Sequence, residues 1–369
     1  MTTKHFDMSL VLPCLNEERT LKECLLEARR IANEGGLSVE LVVADNGSID
    51  HSLEIARAYS DVVVQIEKRG YGAALDGGVR AATSEYILVA DSDLSYDFTK
   101  LPVFLKKLQE ENYELVLGNR FAGTIMPGAM PWHHKYIGNP VLSFIGRVIF
   151  TSEIGDFHCG IRAFKKSSYL ECKISSSGME YASEMIIQFA TRDMFITEIP
   201  VKLSKDGRDR KPHLRSFRDG FRHLNLMLSL APQFTLLLPG LLLAFIANLI
   251  LLFIYLLNQS NDDFVSSAIV PLCGISIVGA SLFGLGAISI ALRKIEGAGK
   301  FKWLPVAYSK TRASVAVGVP SAAMVCGQLV FWSQESFVVQ VVGINISASG
   351  FILVISALVV RQILSKHWR

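Results

Sequence analysis

The sequence predicts an α/β domain followed by an all-α domain of four transmembrane helices. Up to about residue 230 the chain is mixed and charged, and short β-type runs alternate with helix-like stretches. This alternation is typical of βαβ units with a largely parallel sheet. Four long apolar runs follow, each close to the ~20 residues that cross a bilayer. Since 369 residues are enough for two domains, we expect one over residues 1–230 and another over 231–369.

The N-terminal domain is predicted to contain at least four strands and three helices. The strands are expected at Met8–Leu12, Val39–Ala44, Val62–Ile66 and Tyr86–Ala90, and the helices at Thr20–Asn33, His51–Tyr59 and Tyr71–Ala82. The strands are almost continuously apolar, as expected when helices cover both faces of a parallel sheet. Ligands of such sheets bind beyond the carboxyl ends of the strands.

Polar side chains follow three of these strands. The first leads into Asn16, the second into Asp45 and Asp50, and the last into Asp91-Ser-Asp93. One rim thus gathers acids from several segments, which is unfavourable unless a cation or hydrogen-bond donors neutralise them. The Asp-x-Asp pair offers two carboxylates to one hard divalent cation. For Asn16 and Asp50 individually, a turn or helix-cap role explains the residue equally well.

A glycine-rich turn joins the third strand to the third helix. It reads Lys68-Arg-Gly-Tyr-Gly72, and glycines there allow backbone N–H groups to approach an anion or a base closely. The spacing differs from that of a Walker P-loop, and no Gly-Lys-Ser/Thr follows. The turn is therefore a candidate ligand-binding loop, although one Gly-x-Gly is weak evidence by itself.

The apolar runs and the charges between them predict the membrane topology. The runs cover about residues 234–257, 266–292, 313–332 and 337–360. Lys and Arg crowd the segment before the first run, the loop after the second and the C-terminal tail, whereas the other two loops have none. Because short cytoplasmic loops are enriched in bases, both termini and the N-terminal domain are expected to be cytoplasmic. No signal-peptide pattern precedes the first strand, which agrees with this placement.

The charge distribution argues against a nucleic-acid partner. The formal net charge is only +3, and the bases cluster beside the apolar runs rather than along one recognition helix. Anionic lipid headgroups explain these clusters more simply. The membrane would be the plasma membrane of a bacterium or archaeon, or the endoplasmic reticulum of a eukaryote.

The ordered motifs resemble a known family. They are Pro13-Cys-Leu-Asn-Glu17, Asp45-Asn-Gly-Ser-Ile-Asp50, Arg69-Gly-Tyr-Gly72 and Asp91-Ser-Asp93. In this order they resemble family 2 glycosyltransferases of the GT-A fold, and more narrowly the polyprenyl-phosphate glycosyltransferases that include dolichol-phosphate mannose synthase. The resemblance covers residues 8 to about 225. It extends to the architecture, since members often carry C-terminal membrane spans.

The resemblance implies an inverting transfer of sugar from a UDP- or GDP-linked donor to undecaprenyl or dolichyl phosphate. Mg²⁺ or Mn²⁺ would be the cofactor. The expected partners are therefore a nucleotide sugar, a polyprenyl phosphate and the lipid bilayer, and a homo-oligomer is left open. Neither the sugar nor the base of the donor follows from the motifs, because a fold does not fix specificity.

The family pattern also implies roles for the matched residues. The donor-binding set would be Pro13, Leu15, Glu17, Asp45, Gly70, Gly72, Asp91 and Ser92. Asp93 would be the direct metal ligand, with Asp91 contacting the ribose or the metal. Arg120 would lie near the transferred phosphate, and Asp156 would orient the acceptor or assist the metal. Asp93, Arg120 and Asp156 are thus the candidate catalytic residues.

Further residues are candidates for binding phosphate or lipid. Arg208, Lys211 and Arg215 lie in the basic stretch before the first apolar run, and an arginine fork matches phosphate oxygens. A solvated run of charge beside the membrane is the alternative for each of them. His134 belongs to an aromatic and basic segment, 130–136, that precedes an apolar stretch and predicts an interfacial amphipathic element. Glu184 is expected to be a structural or site-lining acid.

Two positions depart from the family pattern. Ser95 stands where many members have a metal-binding glutamine, and Asn46 stands where a second aspartate is common. Asp93 is therefore expected to be the one firm protein ligand to the metal. The Ser95 hydroxyl, a water molecule or another acid would complete the coordination shell.

Two other functions are alternatives to sugar transfer onto a polyprenyl phosphate. A processive membrane polysaccharide synthase usually carries a Gln-x-x-Arg-Trp motif, which this sequence lacks. A lipid flippase or transporter with a nucleotide-binding domain is the second alternative, and it would be expected to have ionisable residues within its membrane spans. The four apolar runs contain essentially none, so they are expected to act as an anchor and lipid platform.

Overall fold

The structure is a computed structural model that describes residues 5–150, 153–208, 216–257, 263–295, 345–356 and 359. The chain divides into two compact units, Met1–Met227 and Leu228–Arg369.

A seven-stranded sheet forms the centre of the first unit. Its strands are β1 (Met8–Cys14), β2 (Val39–Asp45), β3 (Val62–Gln65), β4 (Tyr86–Val89), β5 (Leu115–Ile125), β6 (Arg162–Lys165) and β7 (Ile196–Leu203). They lie in the order β3-β2-β1-β4-β6-β5-β7, and every neighbouring pair is parallel except the two that involve β6. The α/β class with a largely parallel sheet is confirmed.

Eight helices accompany the sheet in the described part of this unit. They are α1 (Leu21–Glu34), α2 (Ser52–Tyr59), α3 (Tyr71–Ala81), α4 (Leu101–Gln109), α5 (Asn139–Phe150), α6 (Lys166–Cys172), α7 (Tyr181–Thr191) and α8 (Ser216–Ser229). A π-helical turn, His134–Gly138, leads into α5. The amphipathic pattern of α1 explains its packing, because its buried residues recur every three or four positions from Leu21 to Ala32.

The core lies between the central strands and the helices. Leu10 of β1 pairs with Leu41 of β2 and with Leu88 of β4, and all three side chains are fully buried. Burying a side chain of this size contributes roughly 1.5–3 kcal/mol. The apolar runs that predicted these strands therefore form the centre of the sheet.

The order of the strands reverses at β1, and this creates the position for a ligand. The chain runs outward from β1 through β2 to β3, then crosses to β4 on the opposite side. The crevice beyond the carboxyl ends of β1 and β4 is a topological switch point, where ligands of open α/β sheets bind. Pro13 has no N–H to donate, and it lies beyond the last β1–β4 pair, Val11 with Val89.

Within the described residues of the second unit, two helices are long and apolar enough to cross a membrane. A π-helical turn, Gln233–Leu237, leads into α9 (Leu238–Leu257), and α10 spans Asp263–Ile295. The apolar segments within them are Gln233–Ile254 and Pro271–Leu292, with mean hydropathies of 2.6 and 2.1. A shorter apolar helix covers Asn345–Ser356. The run predicted at 313–332 lies outside the described residues, and the one at 337–360 is described only in part.

Polar side chains connect the helices of the second unit. The Asn248 amide donates to the Ser276 hydroxyl at 2.7 Å, and the Asn345 amide donates to the Asn248 side-chain oxygen at 3.2 Å. Asn248 belongs to α9 and Ser276 to α10. Such hydrogen bonds hold helices together in apolar surroundings, where water cannot satisfy an amide.

Candidate functional site

A cavity of about 930 Å³ opens in the first unit at the switch point of the sheet. Eight of the residues predicted from the sequence line it: Pro13, Leu15, Glu17, Gly70, Asp91, Ser92, His134 and Arg208. Five others are described but lie outside its lining, namely Asp45, Gly72, Asp93, Arg120 and Asp156. Lys211 and Arg215 lie outside the described residues. The predicted set is therefore gathered around one cavity, with several members behind its wall.

The two aspartates after β4 have different partners. Asp91 accepts a hydrogen bond from the Tyr71 hydroxyl at 3.0 Å. One carboxylate oxygen of Asp93 accepts from the backbone N–H of Ser95 at 3.0 Å and from the Ser95 hydroxyl. The other Asp93 oxygen is 2.9 Å from Nη1 of Arg208. Ser95 thus orients Asp93 through a short turn.

Arg208 bridges two acids of the rim. Its Nη2 is 2.7 Å from Oε1 of Glu17, and its Nη1 contacts Asp93. Glu17 and Asp93 are both buried. An arginine 191 positions further along the chain than Glu17 therefore neutralises the negative charge at this end of the cavity. The outer oxygen of Asp93 can reach a cation only if Arg208 moves away.

Burial and neighbouring charge change the acidity of Asp91. Burial, followed by the negative charge of Asp93, raises the pKa of Asp91 from 3.8 to about 6. The folded protein therefore holds this proton more tightly than the unfolded chain, and its stability falls as pH rises from about 4 through about 6. The carboxylate of Asp91 is in an unfavourable position at neutral pH unless a cation offsets its charge.

Replacing Asp91 with asparagine is expected to raise the melting temperature at pH 7–8. The amide removes the buried charge and retains an oxygen for the Tyr71 hydroxyl. The gain should disappear near pH 4, where the native carboxyl is protonated. Melting curves across this pH range test the prediction, with the exposed Glu110→Gln variant as the control. An equal gain at pH 4 and pH 8 would contradict it.

Arg120 and Asp156 form a buried bidentate ion pair. Nε and Nη2 of Arg120 lie 2.7 and 2.8 Å from the two oxygens of Asp156. Asp156 also accepts the backbone N–H of His158 at 3.2 Å, so the pair fixes the turn over residues 155–160. Gly160 of this turn lies against Asp91, because a Cβ at Gly160 would be 2.5 Å from Oδ2 of Asp91. Arg120 and Asp156 thus hold in place a segment that lines the cavity, although neither belongs to the lining itself.

Asp45, the last residue of β2, and the adjacent Asn46 organise part of the donor-binding region predicted from the sequence. The carboxylate of Asp45 accepts the backbone N–H groups of Gly47 and Ser48 at 3.1 and 3.2 Å. The Asn46 amide donates to the carbonyl oxygens of Ile66 and Lys68 at 3.0 and 2.9 Å. An aspartate at position 46 could not donate these bonds. Asn46 therefore ties the β2 loop to the glycine-rich turn.

Both glycines of that turn are required by close packing. Gly70 has a φ of 136°, and a Cβ there would be 2.1 Å from the carbonyl oxygen of Ser177. A Cβ on Gly72 would be 2.5 Å from the carbonyl oxygen of Ser176. The buried Glu184 accepts the backbone N–H of Ser176 at 2.7 Å and so holds the segment that packs against these glycines. Glu184 is accordingly a structural acid in this arrangement.

Part of the cavity lining is apolar, and these residues lie in or next to α5, α7 and α8. Its lining includes Trp132, Ile137, Leu142, Met179 and Phe217. Trp132 and Phe217 are 68% and 92% exposed, so their rings also face the surface. The amphipathic element expected around residues 130–150 forms the π-helical turn and α5. An apolar chain could therefore enter the cavity from this side.

Several residues that line the cavity were not among the site residues predicted from the sequence. Tyr71, His158, Arg162 and His223 all line the cavity. His158 and Arg162 belong to the segment Asp156-Phe-His-Cys-Gly-Ile-Arg162, from which only Asp156 was selected. A histidine and an arginine flanking a glycine next to a predicted acidic site could have drawn attention to both. For His223, within an ordinary amphipathic helix, the sequence offers no such signal.

Comparisons with known proteins connect this geometry to a family. Residues 9–172 match the family described as Glycosyl transferase family 2. The low-salt glycan biosynthesis hexosyltransferase Agl6 of Haloferax volcanii is 34% identical over 233 residues, which are 63% of this chain and 56% of that protein. The match thus spans little more than half of that relative. The glycosyltransferase AglJ of the same organism is 32% identical over 57% of this chain and 67% of its own length.

The chain is also similar to a third protein of known sequence and to a solved structure. A dolichyl-phosphate hexose transferase of Haloferax volcanii is 29% identical over 53% of this chain and 82% of its own length. Among solved structures, glucosyl-3-phosphoglycerate synthase of Mycobacterium tuberculosis has a TM-score of 0.49 and 20% identity, over 61% of this chain and 79% of that one. The chain belongs to glycosyl transferase family 2.

Proposed function

We propose that the protein transfers a sugar from a nucleotide-diphosphate sugar to a polyprenyl phosphate held in a membrane. The observation that carries this proposal is the composition of a single cavity. Its lining combines the acids Glu17 and Asp91 with apolar residues such as Leu142 and Phe217. A charged sugar donor and a lipid acceptor require these two environments side by side.

The named relatives support the same pair of substrates. They include a hexosyltransferase of glycan biosynthesis and a dolichyl-phosphate hexose transferase. The two apolar helices would keep the enzyme at the membrane that contains the lipid. We infer a UDP- or GDP-linked donor and an undecaprenyl or dolichyl acceptor.

The acidic rim fits a divalent cation that is shared with the donor diphosphate. Asp91 and Asp93 offer the hard oxygen ligands that Mg²⁺ or Mn²⁺ prefers. The described residues contain no group of three or more His, Cys, Asp and Glu side chains that could hold a metal. The two aspartates would therefore need further ligands. Diphosphate oxygens would supply them, as is usual for Mg²⁺. The bound metal would offset negative charge on the departing diphosphate.

The chain's own residues would position the two substrates. The acceptor phosphate is ionised near neutral pH, so a strong general base is unnecessary. One of its oxygens would form a bond to the anomeric carbon as the bond from that carbon to the diphosphate breaks, and the nucleoside diphosphate would leave. Direct attack of this kind inverts the anomeric configuration. Arg208, once released from Asp93, could offer its guanidinium fork to the diphosphate.

We further infer that the second unit spans the membrane four times and that both termini are cytoplasmic. The alternation of basic and base-free loops supports this topology. Single cysteines placed in the 258–262 and 333–336 loops of a cysteine-free variant should react with an impermeant thiol reagent from outside intact cells. Reaction of neither loop from outside would contradict the topology.

The function can be tested with membranes that contain the protein. They are incubated with labelled UDP- and GDP-sugars, either polyprenyl phosphate and Mg²⁺ or Mn²⁺, and the lipids are then extracted. We expect one lipid-linked monosaccharide whose formation stops when a chelator is added. Absence of a lipid-linked product for every donor and acceptor would contradict the proposal. A growing polymer would indicate the processive synthase instead.

A further inference from the structure

Arg162 is a buried arginine on the wall of the cavity. It begins β6 and is only 2% exposed. Its Nη1 donates to the carbonyl oxygen of Ala182 at 2.8 Å, and its Nη2 donates to the carbonyl oxygen of Cys159. Within the described part of the chain, Arg162 forms no ion pair, whereas the buried Arg120 pairs with Asp156.

An unpaired buried charge is unfavourable. Removing a guanidinium from water costs several kcal/mol unless an opposite charge compensates it. Neutral carbonyl groups satisfy some N–H donors of Arg162 but leave its positive charge uncompensated. An anionic ligand in the cavity would supply the missing charge.

Two histidines lie in the same part of the cavity. The rings of His158 and His223 are 4.6 Å apart, and the Ser183 hydroxyl lies 2.8 Å from Nδ1 of His223 and 3.5 Å from Nε2 of His158. Burial lowers the pKa of His223 to about 4, and burial and then the neighbouring His223 lower the pKa of His158. Neutral imidazoles each offer one N–H donor to an anion.

The position of Arg162 favours the acceptor over the donor. Gly160, two residues earlier, packs against Asp91 of the acidic rim. His158, Arg162 and His223 share the cavity with Met179 and Phe217 of its apolar wall. Arg162 and the two histidines therefore line the same cavity as the acidic rim and the apolar residues, a combination that suits the head group of a lipid acceptor.

Arg120 differs from Arg162 in having an acidic partner. The family resemblance had suggested it as the residue near the transferred phosphate. Its guanidinium is instead held at two points by Asp156 and lies outside the cavity lining. This leaves Arg162 as the buried arginine of the cavity that has no acidic partner among the described residues.

We propose that Arg162 and His158 bind the phosphate monoester of the acceptor, with its apolar chain leading toward Ile137 and Phe217. The planar guanidinium suits the several oxygens of a phosphate. The identification of this anion as the acceptor head group rests on the proposed function. A free phosphate shares the same chemistry, so the experiment includes both.

Equilibrium binding to the full chain in detergent, without nucleotide or metal, tests the proposal. Geranyl phosphate and inorganic phosphate are titrated separately by calorimetry. We expect Arg162→Gln to weaken geranyl phosphate binding by about 10-fold or more, since hydrogen bonds to charged groups are among the strong ones. Arg162→Lys should lose less, and Arg80→Gln, which removes an exposed arginine of α3, should bind normally.

A second variant guards against misfolding. Arg162→Gln could disturb the carbonyl groups of Cys159 and Ala182, so His158→Ala is measured as well, and melting curves check both proteins. His158→Ala should weaken geranyl phosphate binding by several-fold. Weakened binding of inorganic phosphate in both variants would show that the head group alone is recognised. Loss confined to geranyl phosphate would show that recognition requires the lipid-linked form.

Further results separate this inference from the proposed function. Unchanged geranyl phosphate binding in folded Arg162→Gln and His158→Ala would overturn the inference, even if sugar transfer is observed. Weakened binding of a nucleoside diphosphate in place of geranyl phosphate would also overturn it, because the anion site would then belong to the donor. If sugar transfer is never observed but both variants lose geranyl phosphate binding, the phosphate site stands without the proposed reaction.

Discussion

Replacing Asp93 with asparagine is expected to lower the rate of sugar transfer by about 10²- to 10³-fold, the range found when one group that stabilises a transition-state charge is removed. The amide retains an oxygen for the Ser95 N–H but loses the charge that faces Arg208. The proposed metal ligand is therefore removed with little change of shape. The rate constant at saturating donor and acceptor is the quantity to measure.

A matched control separates this effect from a general loss of charge. Asp76→Asn removes the charge that pairs with Arg80 on α3 and keeps an oxygen for the Tyr169 hydroxyl. Its transfer rate should stay within about twofold of the original, since surface ion pairs contribute little. Near-normal transfer by Asp93→Asn would mean that the Asp91–Asp93 rim does not hold the metal.

Replacing Asp156 with alanine is expected to destabilise the first unit by about 3–5 kcal/mol, because it leaves the charge of Arg120 buried without a partner. The bidentate contact and the full burial of Asp156 place this pair among the strongest polar contacts of the fold. Denaturant unfolding of a variant that keeps Trp132 as its one tryptophan, followed by fluorescence, can measure the loss.

A double replacement tests the physical reason. Arg120→Met combined with Asp156→Leu removes both charges and fills similar volumes, so it should recover a substantial part of the stability lost in Asp156→Ala. The backbone N–H of His158 would still lack its acceptor, which limits the recovery. If Asp156→Ala unfolds at the same denaturant concentration as the original protein, the buried pair does not stabilise the fold as described.

The first half of the α/β unit could be predicted from local patterns. Apolar runs gave β1 to β4 to within two residues at their ends. Burial on both faces explains the uninterrupted runs of β1, β2 and β4, whereas the edge strand β3 is only half-buried. The short strand β6, Arg162–Lys165, was not predicted. It has a charge at each end, and its antiparallel pairing with β4 and β5 depends on contacts between distant segments.

The site was predictable where it follows strand ends. Parallel strands bring their carboxyl ends to one rim, so Glu17, Asp91 and Asp93 could be placed together from the strand assignment. The partners of these acids could not be predicted from the strand assignment. Arg208 reaches Glu17 across 191 positions, and no local pattern encodes a contact at that separation. The pairing of Arg120 with Asp156 was hidden for the same reason.

The membrane helices show a similar division. Composition alone identified the segments that form α9 and α10, because apolar runs of this length are typical of membrane-spanning helices. The four-span topology rests on the loop charges and stays a prediction. The polar contacts of Asn248 were not foreseen, since a single amide in an apolar run does not reveal its partner.

Binding of Mn²⁺ measured by electron paramagnetic resonance is the most direct test of the donor site. We expect the full chain to bind Mn²⁺ weakly alone, since Arg208 contacts the outer oxygen of Asp93, and far more tightly with UDP or GDP. Asp93→Asn should abolish this tight binding. Equally tight binding in Asp93→Asn, or no effect of either nucleotide, would contradict the claim that this rim holds a metal-bound nucleotide diphosphate.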